Sequence, residues 1–249
     1  AFFDVNAKTG NSTDQTFSFG SLELDLDYAY NGHFGASAAL VLCGNSSNAP
    51  YGAPPAIFCG NSGAGGLSGG STMAGIAVGF IDYNLYDDTI PPRGRIFNKD
   101  GLHIRAGRFD IPFGTDYQNF ANTDRITVTA PLTTSIMQLG GYNGDGVNSF
   151  GAWGRYQYSA FWTDAIYGND GHAIGGRVGI TLGQRPFSVH NPQEGIQVGF
   201  SHLSELDGDN NLRNAVYGAD LSIGYSIWRL QNELMVLDSH QAFSIDADG

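Results

Sequence analysis

The stretch SLELDLDYAYNGHFGASAALVL, residues 21 to 42, constrains the fold most. Leu22, Leu24, Leu26, Tyr28 and Tyr30 alternate with Glu23, Asp25 and Asp27, which makes one face apolar and the other acidic. A strict period of two belongs to a strand and not to a helix. Asn31-Gly32 then predicts a two-residue type I′ hairpin turn. The return strand puts Phe34, Ala36, Ala38, Leu40 and Leu42 on one face.

The alternation recurs along the chain. Ile76, Val78 and Phe80 switch parity to Ile81, Tyr83 and Leu85, which predicts a bulge. Leu102, Ile104 and Ala106 oppose His103 and Arg105. Residues 148 to 167 predict a hairpin turning near Tyr156-Gln157. Ile174, Val178 and Leu182 oppose Arg177 and Thr181; Ile196, Val198 and Phe200 oppose Gln197 and Ser201. Tyr217 to Tyr225 carries Asp220 and Ser222 on its second face, and a turn near Ser226-Ile227 leads into WRLQNELMVLD. With residues 1 to 8, this predicts about eleven strands, no helix and one all-β, antiparallel domain over residues 1–249.

The tight turns near Asn31, Gln157 and Ile227 are flanked by aromatics, Tyr28/Tyr30, Tyr156/Tyr158 and Tyr225/Trp228, and counting strands up and down puts all three at one end. The Cys43–Cys59 segment and Pro112 to Asp145 fall at the other. Short turns with an aromatic girdle opposite long loops are the pattern of a transmembrane β-barrel. Composition agrees. Charged residues are 14% of the chain, against about 25% in soluble domains. In GRFDIPFG, residues 107 to 114, charges sit between apolar residues, as expected of a wall with lipid on one side and water on the other; a kink at Gly107 allows Arg105 and Arg108 both to point to the water side. No apolar run reaches the ~18 residues of a membrane helix, which says nothing about strands.

The net charge of −12 excludes a nucleic-acid partner, which requires a basic footprint. A disulfide between Cys43 and Cys59 closes a short loop and contributes roughly 3 kcal/mol through loop-closure entropy; it implies an oxidising compartment. Two unpaired thiols are the competing reading. No leader segment is visible, so the expectation is a mature chain or a fragment.

LHIRAGRFDIPFG, NSFGAWGRYQYSAFWTDAIYGNDG, GGRVGITLGQRPF, GIQVGFSHL and YGADLSIGYSIWRLQNELMVLD, in that order over roughly residues 100 to 240, resemble the Gram-negative outer-membrane porin superfamily, most of all its phosphate-selective (O/P) family. The resemblance implies a trimeric barrel of roughly sixteen strands in the bacterial outer membrane, among lipid and lipopolysaccharide, conducting small hydrophilic solutes. It also implies a constriction loop, with Pro112 to Asp145 as the counterpart. Anion-selective members carry lysine-rich constrictions, whereas this loop offers Arg125 against Asp116, Asp124 and Asp145. About eleven strands fall short of an even-numbered closed barrel, so the chain is expected to be incomplete at its C-terminus.

The candidate selectivity residues are Arg105, Arg108, Arg155, Arg177 and Arg229, set against the acidic residues of the Pro112–Asp145 loop, and separately Glu23, Asp25 and Asp27 as a cation-attracting acidic wall. Arg105, Arg155 and Arg177 form a cationic ladder on this reading; the alternative is arginines paired for wall stability. GLSGG at 66 to 70 matches a nucleophile pattern but lies in a glycine-rich stretch without the strand-turn-helix context it needs. ELDGDNN at 205 to 211 offers Asp207 and Asp209 to calcium without full ligand spacing, and a polar turn is the plainer reading. No catalytic residue, metal set or cofactor is expected. The expected function is a passive channel and not an enzyme. The competitor is a plugged outer-membrane barrel that sheathes or docks a partner such as an electron-transfer or surface assembly.

Overall fold

A computed structural model describes residues 2–8, 16–30, 32–44, 67–69, 72–85, 101–115, 139, 143–168, 170–183, 195–226 and 228–239. Twelve strands occupy them, and no helix: β1 (Phe2–Lys8), β2 (Thr16–Tyr30), β3 (Phe34–Gly44), β4 (Leu67–Gly69), β5 (Thr72–Asn84), β6 (Gly101–Asp110), β7 (Asn143–Trp153), β8 (Tyr156–Asp164), β9 (His172–Gly183), β10 (Gly195–Leu206), β11 (Leu212–Tyr225) and β12 (Trp228–Ser239). Each strand pairs antiparallel with the next in sequence, except that β4 is a side branch on β5. Ser68 of the GLSGG stretch therefore lies on a short strand opposite Met73. Among the described residues no pairing joins β1 to β12.

The sheet bends strongly. From β6 to β12 are six strand spacings of ~4.8 Å, roughly 29 Å along a flat sheet. Yet the segment leaving β6 at Asp110 reaches β12 five residues later, where Thr115 N donates to Glu233 Oε1 at 2.8 Å. Five residues span at most ~18 Å. The strands must curl so that this segment crosses the hollow as a chord. Phe109, Ile111, Phe113 and Leu139 are buried there with Val78, Phe80, Phe161, Leu203, Val216 and Met235, so the core sits on the concave face. The convex face exposes its apolar side chains: Leu26, Tyr28, Ile81, Val178, Phe200 and Leu234 are all more than half exposed.

The bulge between Ala39 and Leu40 in the β3–β5 register places the extra residue at Ala77, opposite neither neighbour. Ile76 is thus convex, Val78 and Phe80 concave, and Ile81 and Tyr83 convex; the parity switch expected at Phe80–Ile81 lies three residues earlier. The first hairpin pairs Tyr30 with Phe34. Its loop is the three residues 31–33, not two, with Gly32 at φ 74°, a left-handed conformation that glycine adopts without strain. The turn expected near Tyr156-Gln157 is Gly154-Arg155, because Trp153 pairs with Tyr156. Gly154 at φ 59° supplies the positive φ that a type II′ turn needs first. The Ser226-Ile227 turn stands where expected, between Tyr225 and Trp228.

These three turns share one end of the sheet, with Trp153, Tyr156, Tyr225 and Trp228 exposed beside them. Loop sorting is incomplete, however: residues 85–100 and 184–194 also connect strands at that end. Cys43 lies near the end of β3; Cys59 and the expected disulfide lie outside the described residues.

Candidate functional site

The concave face of β9 to β12 is built in rows fixed by register. Thr181, Gln197, Ser222 and Gln231 oppose one another; next come Gly179, Gly199, Asp220 and Glu233; then Arg177, Ser201, Gly218 and Met235; then Gly175, Leu203, Val216 and Leu237. The polar rows near the tight-turn end thus give way to the apolar row of Leu203 and Val216, and the row beyond it, Ala173, Glu205, Asn214 and Ser239, is polar again.

Arg177 crosses β10 to reach Asp220 on β11, with Nη2 to Oδ1 at 2.6 Å and Nε to Oδ2 at 3.1 Å. Gly199 makes this possible, since a Cβ there would lie 2.1 Å from Arg177 Nη2. Arg105 pairs with Asp82 directly across the β5–β6 ladder at 2.7 and 2.8 Å. Its guanidinium lies 3.7 Å above the Phe80 ring centroid, a favourable cation–π position. Both pairs are bidentate and almost fully buried, the geometry in which an arginine–carboxylate contact is strongest. Further side-chain hydrogen bonds lie around them: Ser159 donates to Asn148 at 2.9 Å, Gln197 to Gln157 at 2.7 Å, and His103 bonds Asn84 through Nδ1.

The segment after β6 is seated by three contacts. Phe113 packs on Gly218, where a Cβ would lie 2.7 Å from the ring; Gly114 N donates to Ser201 Oγ at 3.1 Å; and Thr115 N meets Glu233. Gly114 has φ 64° and no room for a side chain beside Glu233. At the same end, buried Glu205 accepts Tyr167 N, Gly168 N and Asn214 Nδ2. Arg213 binds Asp170 at 2.5 Å. That hydrogen bond first, and the Gly208 N–H second, hold the Asp170 carboxyl below the ordinary carboxylate range. Asp207 accepts the N–H groups of Asp209 and Asn211 at 3.0 and 2.8 Å, so ELDGDNN is a polar turn knotted by its own aspartate.

The cationic ladder comes apart. Arg105 and Arg177 are concave but each is matched by a buried carboxylate. Arg155 is an exposed turn residue, because the hairpin turns two residues earlier than expected. Arg108 does not join Arg105: the β6–β7 register runs through Gly107 without a shift, which leaves Arg108 at the convex parity, opposite Asp145 and bonded to it at 3.0 Å. Asp145 is accordingly a residue of β7 and not of a constriction loop. Asp27 lies on β2 opposite Ser37 and accepts its hydroxyl at 2.6 Å. Glu23, Asp25 and Arg229 lie on their strands opposite Val41, Ala39 and Gly224, and their side chains lie outside the description. So do Asp116, Asp124 and Arg125.

Sequence reasoning missed Asp82, Glu205 and Glu233. Asp82 was obscured by the displaced bulge, although a bulge at Ala77 makes its parity concave. Glu233 ends the polar run Gln231-Asn232-Glu233, where only period two tells its face from that of Asn232. Ile111 to Phe113 reads as the end of a strand, and nothing local shows that it fills the hollow. No family model, curated protein or solved structure matches this chain.

Proposed function

We propose that the chain is the wall of an outer-membrane β-barrel porin, a passive channel for small hydrophilic solutes or ions and not an enzyme. One observation carries this reading: polarity is inverted. Leu26, Val178, Phe200 and Leu234 are exposed on the convex face, while Arg105, Asp82, Arg177 and Asp220 are buried on the concave one. A water-soluble sheet buries its apolar face, and a barrel in lipid presents it outward. The setting is outer-membrane lipid and lipopolysaccharide, with a homotrimer as the assembly. The test is single-channel recording of the full-length product in a planar bilayer; stable conductance steps are expected, and a folded, inserted protein without conductance overturns the channel.

A second reading has its own support. The apolar cluster of Phe109, Ile111, Phe113 and Leu139 fills part of the hollow, as befits a non-conducting barrel that sheathes or docks a partner. Inserted, silent protein favours this reading.

A further inference from the structure

The convex face carries a second pattern, at the end away from the tight turns. Arg108 pairs with Asp145 across β6 and β7. The Asp145 N–H donates to Asp164 of β8 at 3.1 Å, and Asp164 pairs with His172 of β9. Four ionisable residues on four successive strands thus form one row. Two residues along each strand, the next convex row is Ala106, Val147, Trp162 and Ile174, opposed in register and all exposed. The change from wholly apolar to wholly ionisable occurs in a single step across four strands. At the other end, the exposed pairs Trp153–Tyr156 and Tyr225–Trp228 close the band.

We propose, resting on the membrane-wall reading, that this row marks where hydrocarbon gives way to lipid headgroups, and that Arg108, Asp145, Asp164 and His172 contact those headgroups. The dimensions agree. Asp145 and Trp153 stand eight residues apart on β7, about 27 Å along the strand. At a barrel tilt of 35–45° that is about 20 Å across the bilayer, near the ~25 Å apolar band of such barrels. A protein partner would instead cover a bounded patch with a polar rim. This belt runs from Leu26 on β2 to Leu234 on β12, with exposed apolar side chains such as Leu40, Ile81, Ile104, Val147, Val178 and Phe200 on the strands between. The row also carries both signs of charge, which suits headgroups that carry a phosphate and an amine.

The chain's three tryptophans are native probes. Trp153, Trp162 and Trp228 are all exposed on the convex face, the first and last at one margin and Trp162 at the other. The full-length product, as single-tryptophan variants with the other tryptophans changed to Phe, is reconstituted in phosphatidylcholine brominated either near the headgroup or near the chain terminus. A further variant places the sole tryptophan at mid-band by Phe200→Trp. The expected result is that Trp162, Trp153 and Trp228 lose most emission to bromine near the headgroup, and Phe200→Trp most to bromine near the chain terminus. Deep quenching of Trp162 overturns the boundary while leaving the membrane wall intact. Absence of quenching in all four variants overturns both. The expected depths together with absent conductance overturn only the channel.

Discussion

Arg177 reaches Asp220 by lying across Gly199, and both side chains are then lost to solvent. Removing one partner strands a buried charge, which costs ~3–5 kcal/mol, whereas replacing both by apolar groups of similar volume is close to neutral. Arg177→Met is therefore expected to destabilise the fold by that amount, and Arg177→Met with Asp220→Leu to recover most of it, as read from denaturant midpoints of the reconstituted protein. Equal loss in single and double variants would show that the pair matters for more than its charge balance. The inward parity of Arg105 and Arg177 was legible from alternation alone. Their partners were not, because Asp82 and Asp220 are chosen by the register between strands, and no single strand encodes that. A second residue-scale effect concerns acid. Asp170 is held below its ordinary value by Arg213. A depressed carboxylate stabilises above its unfolded pKa of about 3.9, and that contribution is lost as pH falls from there through the folded value. The Asp170 carboxyl is expected to titrate below that ordinary value by carbon NMR, and Arg213→Gln to move the midpoint back up.

Ile111 to Thr115 behaves as an element although it is neither helix nor strand. It is seated by a ring on Gly218, a hydroxyl of Ser201 and a carboxylate of Glu233. Gly218→Leu places atoms where the Phe113 ring lies and so displaces the ring that seats the segment. On the channel reading, the variant is expected to raise single-channel conductance over the parent. Unchanged conductance in a folded variant would mean that the segment does not narrow the path. The strands were legible because period two is a local signal, and so was the Ser226-Ile227 turn between two aromatics. The Gly154-Arg155 turn was misread by two residues because apolar side chains run through it on both sides, so hydrophobicity gives no break. Its signal is the glycine at the position that needs positive φ. The bulge was legible as a change of parity but not in place, since Ile76, Val78 and Phe80 alternate as smoothly as a regular strand while Ala77 absorbs the extra residue.

The whole molecule sets its electrical character by which arginines remain uncompensated toward the hollow. Among the described side chains, Arg105 and Arg177 are neutralised in bidentate pairs, Arg108 faces the convex side against Asp145, and Arg155 sits in a turn at the end of the sheet. Asp27, by contrast, is exposed on β2 with a serine hydroxyl as its bonded neighbour. On the channel reading, an ion passing this wall would meet paired dipoles and an open carboxylate, in a low-dielectric confinement that amplifies small imbalances of charge. Edges exposed to hydrocarbon are prohibitive, so on this reading the β1 and β12 edges are both paired in the assembled pore. Under a KCl gradient the reversal potential of such a channel is expected on the cation side. Asp27→Asn is expected to move it toward zero, and Arg177→Met with Asp220→Leu to leave it unchanged, because that pair contributes no net charge. A reversal potential on the anion side would mean that charges other than these govern the path, and that the acidic wall of β2 does not face it.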